Sequence, residues 1–258
     1  MFLVYSTLML LICTALVSEA KAIPAEISRP EKPGDYVVLL HGLGRTALSM
    51  KRLEHYLKNH GYRVVNVRYP STRFSVEQLA DNYLNRLLEK QTPDPTARIH
   101  FVTHSLGGIL LRQYLSNHSL TNLGRVVMLA PPNQGSEIID HLRAIPLTRN
   151  ILGFTRLQLG TDANDLPKRL GPVHFQCGVI AGDRSLNPLL SALLPGANDG
   201  KVAVESARIE GMQDFLVLHS THTWLMWRER TLRQTVCFLE SGRFDKGIPT
   251  ETHNTLFF

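Results

Sequence analysis

The chain has 258 residues, which is enough for one large domain with its own core and short for two ordinary ones. Hydrophobic residues make up 43% and charged residues 19%, a composition that excludes a disordered or low-complexity protein. The formal net charge is +6, but the Lys and Arg residues are scattered along the chain. No basic stripe with interleaved aromatic residues is present, which argues against nucleic acid as a partner.

The amino terminus differs in composition from the rest of the chain. Residues 2–17 form an apolar stretch that is short for a membrane span and is followed by small residues. Ala20-Lys21-Ala22 provides an A-x-A cleavage site, and Ser18-Glu19-Ala20 provides a second one. We therefore expect residues 1–22 to be a signal peptide and the protein to be exported, to the periplasm or the extracellular space. Because no Lys or Arg precedes the apolar stretch, an uncleaved membrane anchor is the alternative.

Short apolar runs then alternate with segments of helical periodicity, which is typical of β-α-β units around a parallel sheet. The first run, Tyr36 to Leu40, is apolar at successive positions, as in a strand that is buried on both faces. Further strands are predicted at 62–69, 98–103, 125–130, 173–181 and 214–218. Helices are predicted at 46–60, 75–90, 106–117 and 224–240, and the second of them opens with a capping box of Ser75 and Gln78.

Residues 131–172 contain helical fragments, several glycines and prolines, and no predicted strand. We interpret residues of about 135–170 as a cap or lid insertion within a single domain of residues 23–258.

The segment from Thr103 to Gly108 carries the strongest functional signal. Ser105 falls between the end of a buried strand and the start of a helix, with small residues around it. Such a turn exposes a serine hydroxyl in a strained backbone conformation and requires a small residue two positions on, which Gly107 provides. The pattern predicts a nucleophile elbow, although Thr103 stands where glycine is usual. A serine that merely caps a helix is the alternative.

With this elbow and the His41-Gly42 pair after the first strand, the chain resembles the α/β-hydrolase superfamily, in particular its bacterial lipase and esterase branch, from about residue 36 to 240. The resemblance implies a mostly parallel central sheet with helices on both faces and a small cap or lid. It also implies an oxyanion hole formed by the backbone N–H groups of Leu43 and Leu106.

The family order of a catalytic triad is serine, acid, histidine. Asp199 stands in a segment that resembles the acid loop of lipases, with Asp183 as the rival and an ordinary turn as the alternative role for Asp199. His222 precedes the last predicted helix as the family histidine does, with His219 as the rival. The resemblance thus implies a triad of Ser105, Asp199 and His222.

These residues predict a serine hydrolase that cleaves carboxylic esters, as an esterase or a lipase, through an acyl-serine intermediate. An acyltransferase with the same triad and a non-catalytic, hydrolase-like binding module are the alternatives. We expect no cofactor and no metal, since no cluster has ligand spacing. The expected partner is a small-molecule or lipid ester, with transient contact with a lipid surface, and the oligomeric state stays open.

Two features of the sequence each allow two interpretations. The apolar residues between Ile138 and Leu157 could cover an acyl pocket or could pack the insertion on the core. Cys177 and Cys237 could form one disulfide in an oxidising compartment, or could be two buried free thiols.

Overall fold

A computed structural model describes residues 34–145, 155 and 158–247. The predicted signal peptide, residues 1–22, and the central part of the predicted insertion lie outside this range. Within the described residues, none of the helices has both the length and the apolar character needed to span a bilayer.

Six strands form one sheet, and every pair of neighbouring strands is parallel. The strands are β1 (Tyr36–Leu40), β2 (Arg63–Asn66), β3 (Ile99–His104), β4 (Leu123–Leu129), β5 (Cys177–Gly182) and β6 (Asp214–Leu218). Their spatial order is β2-β1-β3-β4-β5-β6. All six predicted strands are present, but β5 begins later than residue 173, because the Val173 N–H donates to the Glu210 carbonyl instead of to β4.

Eight α-helical segments connect or flank these strands in the described residues. They are α1 (Lys51–Asn59), α2 (Val76–Leu79), α3 (Asn85–Gln91), α4 (Leu106–Asn117), α5 (Glu137–Arg143), α6 (Leu166–Arg169), α7 (Pro188–Ser191) and α8 (Glu229–Ser241). The predicted capping box is confirmed, since Gln78 N–H donates to Ser75 Oγ at 3.2 Å and Ser75 N–H to Gln78 Oε1 at 3.1 Å. The helix predicted at 75–90 is divided by a π-helical turn at Ala80–Leu84.

The predicted last helix also begins later than expected. Residues Leu225–Trp227 form a 3-10 turn, and α8 starts at Glu229 because Arg228 has extended backbone angles, φ −69° and ψ 133°.

Both faces of the sheet are buried, as the apolar run of β1 predicts. Val38 and Leu40 face one core cluster, which also contains side chains of α2, α3 and α4, whereas Val37 and Leu39 face the other, which contains side chains of α1 and α8. This alternation is that of a strand between two helical layers. The predicted α/β class, a parallel sheet with helices on both faces, is confirmed.

The described part of the insertion packs on this core. Ile139, Leu159 and Leu166 belong to the same cluster as α4. The buried guanidinium of Arg112, on α4, donates to the carbonyl groups of Pro167 and Gly171, each at 2.8 Å. Residues 146–154, which include several of the apolar positions in question, lie outside the described range.

Cys177 and Cys237 are free thiols, so the disulfide alternative is wrong. Cys177 lies in β5 and packs in the cluster on the α4 face, whereas Cys237 lies on α8, which covers the opposite face. The sheet therefore stands between them. Cys177 is fully buried, and burial raises the pKa of its thiol to about 12; Cys237 is only partly buried.

Candidate active site

Ser105 occupies a sharp turn between β3 and α4. Its backbone has φ 53° and ψ −120°, a positive φ that is rare outside glycine. A Cβ atom on Gly107 would lie 2.4 Å from the Leu40 carbonyl oxygen, so only glycine allows α4 to start this close to β1. The Ser105 N–H donates to the Leu129 carbonyl at 2.9 Å, which fixes the turn against β4.

Thr103, the departure from the usual glycine, fits at this turn. Its side chain is buried, and the Cβ position of Gly108 lies 3.4 Å from Thr103 Oγ1. A larger residue at 108 would take the space that the threonine side chain uses.

The loop after β1 lies directly against the serine. A Cβ atom on Gly42 would be 3.2 Å from Ser105 Cβ and 2.8 Å from His104 Nδ1. Leu43 follows, and its N–H donates to no acceptor among the described residues. Leu106 is the first residue of α4, where a backbone N–H has no intrahelical acceptor.

Residues of the connection that follows β2 hold the loop after β1 in place. The His41 ring stacks on Tyr69 at 4.1 Å between centroids, and the Tyr69 hydroxyl donates to the His41 carbonyl. The Gly44 N–H donates to Ser71 Oγ at 3.0 Å. Burial lowers the pKa of His41, which favours the neutral ring.

Asp199 and His222 are in direct contact. His222 Nδ1 lies 2.7 Å from Asp199 Oδ2, and the two residues are only 5% and 3% exposed. The other carboxylate oxygen, Oδ1, accepts from the N–H groups of Lys201 at 2.9 Å and Val202 at 2.8 Å. With Nδ1–H donated to a fixed carboxylate, the His222 ring keeps the tautomer in which Nε2 is a base.

His222 also packs against the residue that precedes Ser105. His104 Nε2 lies 3.0 Å from the His222 carbonyl oxygen, and the two rings are 4.7 Å apart between centroids. Burial, followed by the nearby His222, lowers the pKa of His104 well below its usual value, so this ring is neutral. The structure thus brings the elbow, the Leu43 loop and the His222–Asp199 pair to the same end of the sheet.

The rival residues directly follow the carboxyl ends of β5 and β6, where they are exposed and contact each other. His219 Nδ1 is 3.0 Å from Asp183 Oδ1, with side chains 63% and 34% exposed. Of the four candidates for the two roles, Asp199 and His222 form a buried pair and Asp183 and His219 form an exposed pair.

Two contributors to the site were not identified from the sequence. His104 was not among the candidate residues, although its position beside Ser105 was a signal for a role at the site. Arg45 reaches across from the Leu43 loop, with Nη2 2.8 Å from Thr223 Oγ1, and nothing in the linear sequence connects these residues. Within the part of the chain that the structure describes, no group of three or more His, Cys, Asp or Glu side chains could hold a metal ion.

A family model described as the alpha/beta hydrolase family matches residues 37–234 of the chain. Among solved structures, the chain is similar to the mature lipase BlEst2 of Bacillus licheniformis, with 17% identity, a TM-score of 0.64, and coverage of 82% of this chain and 93% of that one. It is also similar to a carboxyl esterase of metagenomic origin, with 19% identity, a TM-score of 0.62, and coverage of 81% and 71%. The comparison with curated proteins gave no match.

A third solved structure, a monoacylglycerol lipase of Paleococcus ferrophilus, is 18% identical, with a TM-score of 0.54 and coverage of 83% of this chain and 96% of that one. At these identities the similarity establishes the fold alone. It agrees with the α/β-hydrolase fold that the resemblance implied.

Proposed function

The chain belongs to the alpha/beta hydrolase family, and from that premise we propose that it hydrolyses carboxylic esters through a covalent acyl intermediate on Ser105. The observation that carries the proposal is the buried 2.7 Å contact between His222 Nδ1 and Asp199 Oδ2, at the same end of the sheet as the strained serine. A serine on such a turn is a weak nucleophile by itself, and an oriented imidazole is the base that it needs.

In the proposed acylation step, Ser105 Oγ attacks the ester carbonyl carbon while its proton moves to His222 Nε2. The carbonyl oxygen takes the negative charge and accepts from the N–H groups of Leu43 and Leu106, each donor of this kind contributing about 3 kcal/mol. Asp199 keeps the imidazolium oriented and stabilises its charge. The C–O bond of the ester then breaks, and the leaving alcohol takes the proton from His222.

Deacylation repeats these roles with water as the nucleophile. His222 Nε2 takes a proton from water, the hydroxide adds to the acyl carbon, and Ser105 leaves with the proton returned by His222. The products are one alcohol and one carboxylic acid, and the enzyme is regenerated without a cofactor.

Two other functions are the alternatives. An acyltransferase would pass the acyl group from Ser105 to an alcohol or amine instead of water, and a mixed assay in which transfer outruns hydrolysis would favour it. A non-catalytic binding module needs no reactive serine.

The predicted signal peptide of residues 1–22 adds export to the proposal, with an uncleaved anchor as the alternative.

A fluorophosphonate probe tests the proposed nucleophile. The serine oxygen attacks phosphorus and fluoride leaves, so we expect labelling of the intact protein, with the phosphonyl group on the Ser105 peptide by mass spectrometry. Ser105→Ala should abolish labelling, and the control Ser116→Ala, on the same helix α4, should retain it. Labelling that is absent from the folded intact protein, or that persists in Ser105→Ala, would contradict the proposal.

A further inference from the structure

Exposed apolar side chains gather around the end of the sheet that holds Ser105. Of the eight large hydrophobic residues that are exposed among the described residues, six lie on the connections that follow β1, β5 and β6, while Ile145 lies on the connection after β4 and Val217 in β6. We call these six the apolar rim: Leu48, Leu186, Leu189, Leu190, Leu193 and Trp224. Leu189 is 80% exposed and Trp224 is 54% exposed. Clusters of apolar side chains with this much exposure are rare on the surface of soluble proteins.

Specific contacts hold the rim next to the candidate site. The four leucines lie on or beside α7, and Asn198, the neighbour of Asp199, binds this turn: it accepts from Ser191 Oγ at 2.9 Å and donates to the Gly196 carbonyl at 2.9 Å. Trp224 lies two residues after His222. Leu48 lies on the connection that Arg45 ties to Thr223.

The connections that follow β1, β2, β5 and β6 carry an excess of positive charge. Residues 41–50, 67–75, 183–204 and 219–228 contain six basic residues and two acidic ones, one of which is the buried Asp199. The basic residues are Arg45, Arg68, Arg73, Arg184, Lys201 and Arg228. At the opposite edge of the sheet, residues 34–35, 60–62, 92–98, 118–122, 170–176 and 208–213 contain two basic and three acidic residues. The described part of the connection that follows β4, within residues 130–169, adds three basic and four acidic residues. The carboxyl edge of the sheet therefore keeps a net positive charge, whereas the opposite edge does not.

Apolar side chains bordered by basic ones are the pattern by which proteins bind the surface of anionic lipid layers. The apolar groups enter the acyl boundary, and Arg and Lys are attracted to the headgroup charge. Two copies of this face would repel each other because both are positive, which disfavours self-association as the explanation.

We propose that the carboxyl edge of the sheet, through the apolar rim and its basic border, docks on an anionic lipid surface. Docking there turns the Ser105 turn toward the lipid, so that ester substrate reaches the site from the surface without crossing bulk water. This link from docking to catalysis rests on the proposed function, whereas docking itself does not.

Trp224 provides the probe for the test. The chain has two tryptophans, and Trp227→Phe leaves Trp224 as the sole one. In a Ser105→Ala, Trp227→Phe protein, which binds without turnover, we expect Trp224 emission to move to shorter wavelength with vesicles of phosphatidylcholine and phosphatidylglycerol. Vesicles of phosphatidylcholine alone should give a smaller shift, and high salt should reverse the shift seen with the mixed vesicles.

Variants locate the docking surface. Leu186→Ser together with Leu189→Ser should weaken binding to the mixed vesicles at least about tenfold, and Arg184→Ala about fivefold. Lys90→Ala, an exposed basic residue at the end of α3 near the opposite edge, is the matched control and should change binding less than twofold. In the intact Ser105 background, the leucine variants should lower the ratio of hydrolysis of a vesicle-borne ester to hydrolysis of a soluble ester.

Three outcomes would overturn the docking surface. Trp224 emission that is already at short wavelength and does not respond to vesicles would mean that this chain covers its own rim. Concentration-dependent dimerisation that Leu189→Ser abolishes, without vesicle binding, would assign the rim to a second copy. Equal loss of vesicle binding in Lys90→Ala and Arg184→Ala would mean that vesicle binding depends on the net charge of the protein and not on this surface. Vesicle binding by a protein that hydrolyses no ester would uphold the surface and contradict only the proposed function.

Discussion

His104 holds the backbone of His222 in position, because its Nε2 donates a hydrogen bond to the His222 carbonyl oxygen at 3.0 Å. The two rings also pack together, with 4.7 Å between their centroids. Since His104 directly precedes Ser105, one residue connects the backbone of the proposed nucleophile to the backbone of the proposed base. The low pKa of His104, caused first by burial, keeps this residue neutral beside the imidazole that would become positive in the proposed reaction.

Replacement of His104 tests this positioning. His104→Phe keeps a ring but leaves the His222 carbonyl without its donor, and we expect kcat for a soluble ester to fall about tenfold or more, with KM within about twofold. His104→Gln, which retains an N–H donor, should recover part of kcat. The acid limb of the pH–rate profile should keep its position in both variants, because His104 is neutral in the native protein. A limb that moves with these substitutions would show that His104 itself titrates in catalysis.

The buried and exposed Asp–His pairs should differ in their effect on activity. Asp199→Asn and His222→Gln should each lower kcat/KM by about a thousandfold or more, because the base loses its orientation or is lost altogether. Asp183→Asn and His219→Gln are the matched substitutions in the exposed pair and should stay within about twofold. Steady-state kinetics on one soluble ester decides between the pairs, and a large loss in Asp183→Asn would reverse the assignment.

Gly107 should be far less tolerant of a methyl group than an open glycine. A Cβ atom there meets the Leu40 carbonyl oxygen at 2.4 Å, so Gly107→Ala must displace α4 or β1, and we expect a loss of about 2–4 kcal/mol in the free energy of unfolding. Gly61 has a φ of +87° and no atom within 4 Å of its Cβ position. Gly61→Ala therefore adds backbone strain alone, about 1 kcal/mol. Urea unfolding of the two variants measures the difference, and equal losses would contradict the steric argument.

Glu54 on α1 should stabilise the fold in a pH-dependent way. Burial raises the pKa of its carboxyl group, but hydrogen bonds from Lys58, Asn66 and Lys51 outweigh burial and lower the pKa to about 2. A folded pKa below the unfolded value of 4.5 means that the stabilisation is complete above that value and is lost as the pH falls toward about 2.

Glu54→Gln should therefore lower the free energy of unfolding by about 1–2 kcal/mol at about pH 7, a figure reduced for the exposure of both lysines. The difference from the native protein should shrink as the pH falls below 4.5 and vanish near the folded pKa. Urea titrations across this range give the measurement, with Glu240→Gln on the exposed side of α8 as the control. A gap that stays constant down to the lowest pH would contradict the shifted pKa.

Local sequence patterns were sufficient for the elements that carry their own signal. The successive apolar residues of β1 require burial on both faces, and Ser75 with Gln78 specifies a helix start through two bonds within four residues. The Ser105 turn is equally local, since a strand end, a serine and Gly107 lie within a few residues. The boundaries of β5 and α8 were predicted less well, because hydrogen bonds to distant segments and a non-helical Arg228 set them.

The sequence by itself determined the parallel α/β architecture, the sharp turn at Ser105 and a short set of acid and base candidates, because each of these depends on residues that are close along the chain. Only the tertiary structure decided that His222 contacts Asp199 and His219 contacts Asp183, that Cys177 and Cys237 lie on opposite faces of the sheet, and that the carboxyl edge has a net positive charge. The physical reason is the parallel sheet: it aligns the carboxyl ends of strands that are far apart in sequence, and side chains on separate connections become neighbours only there.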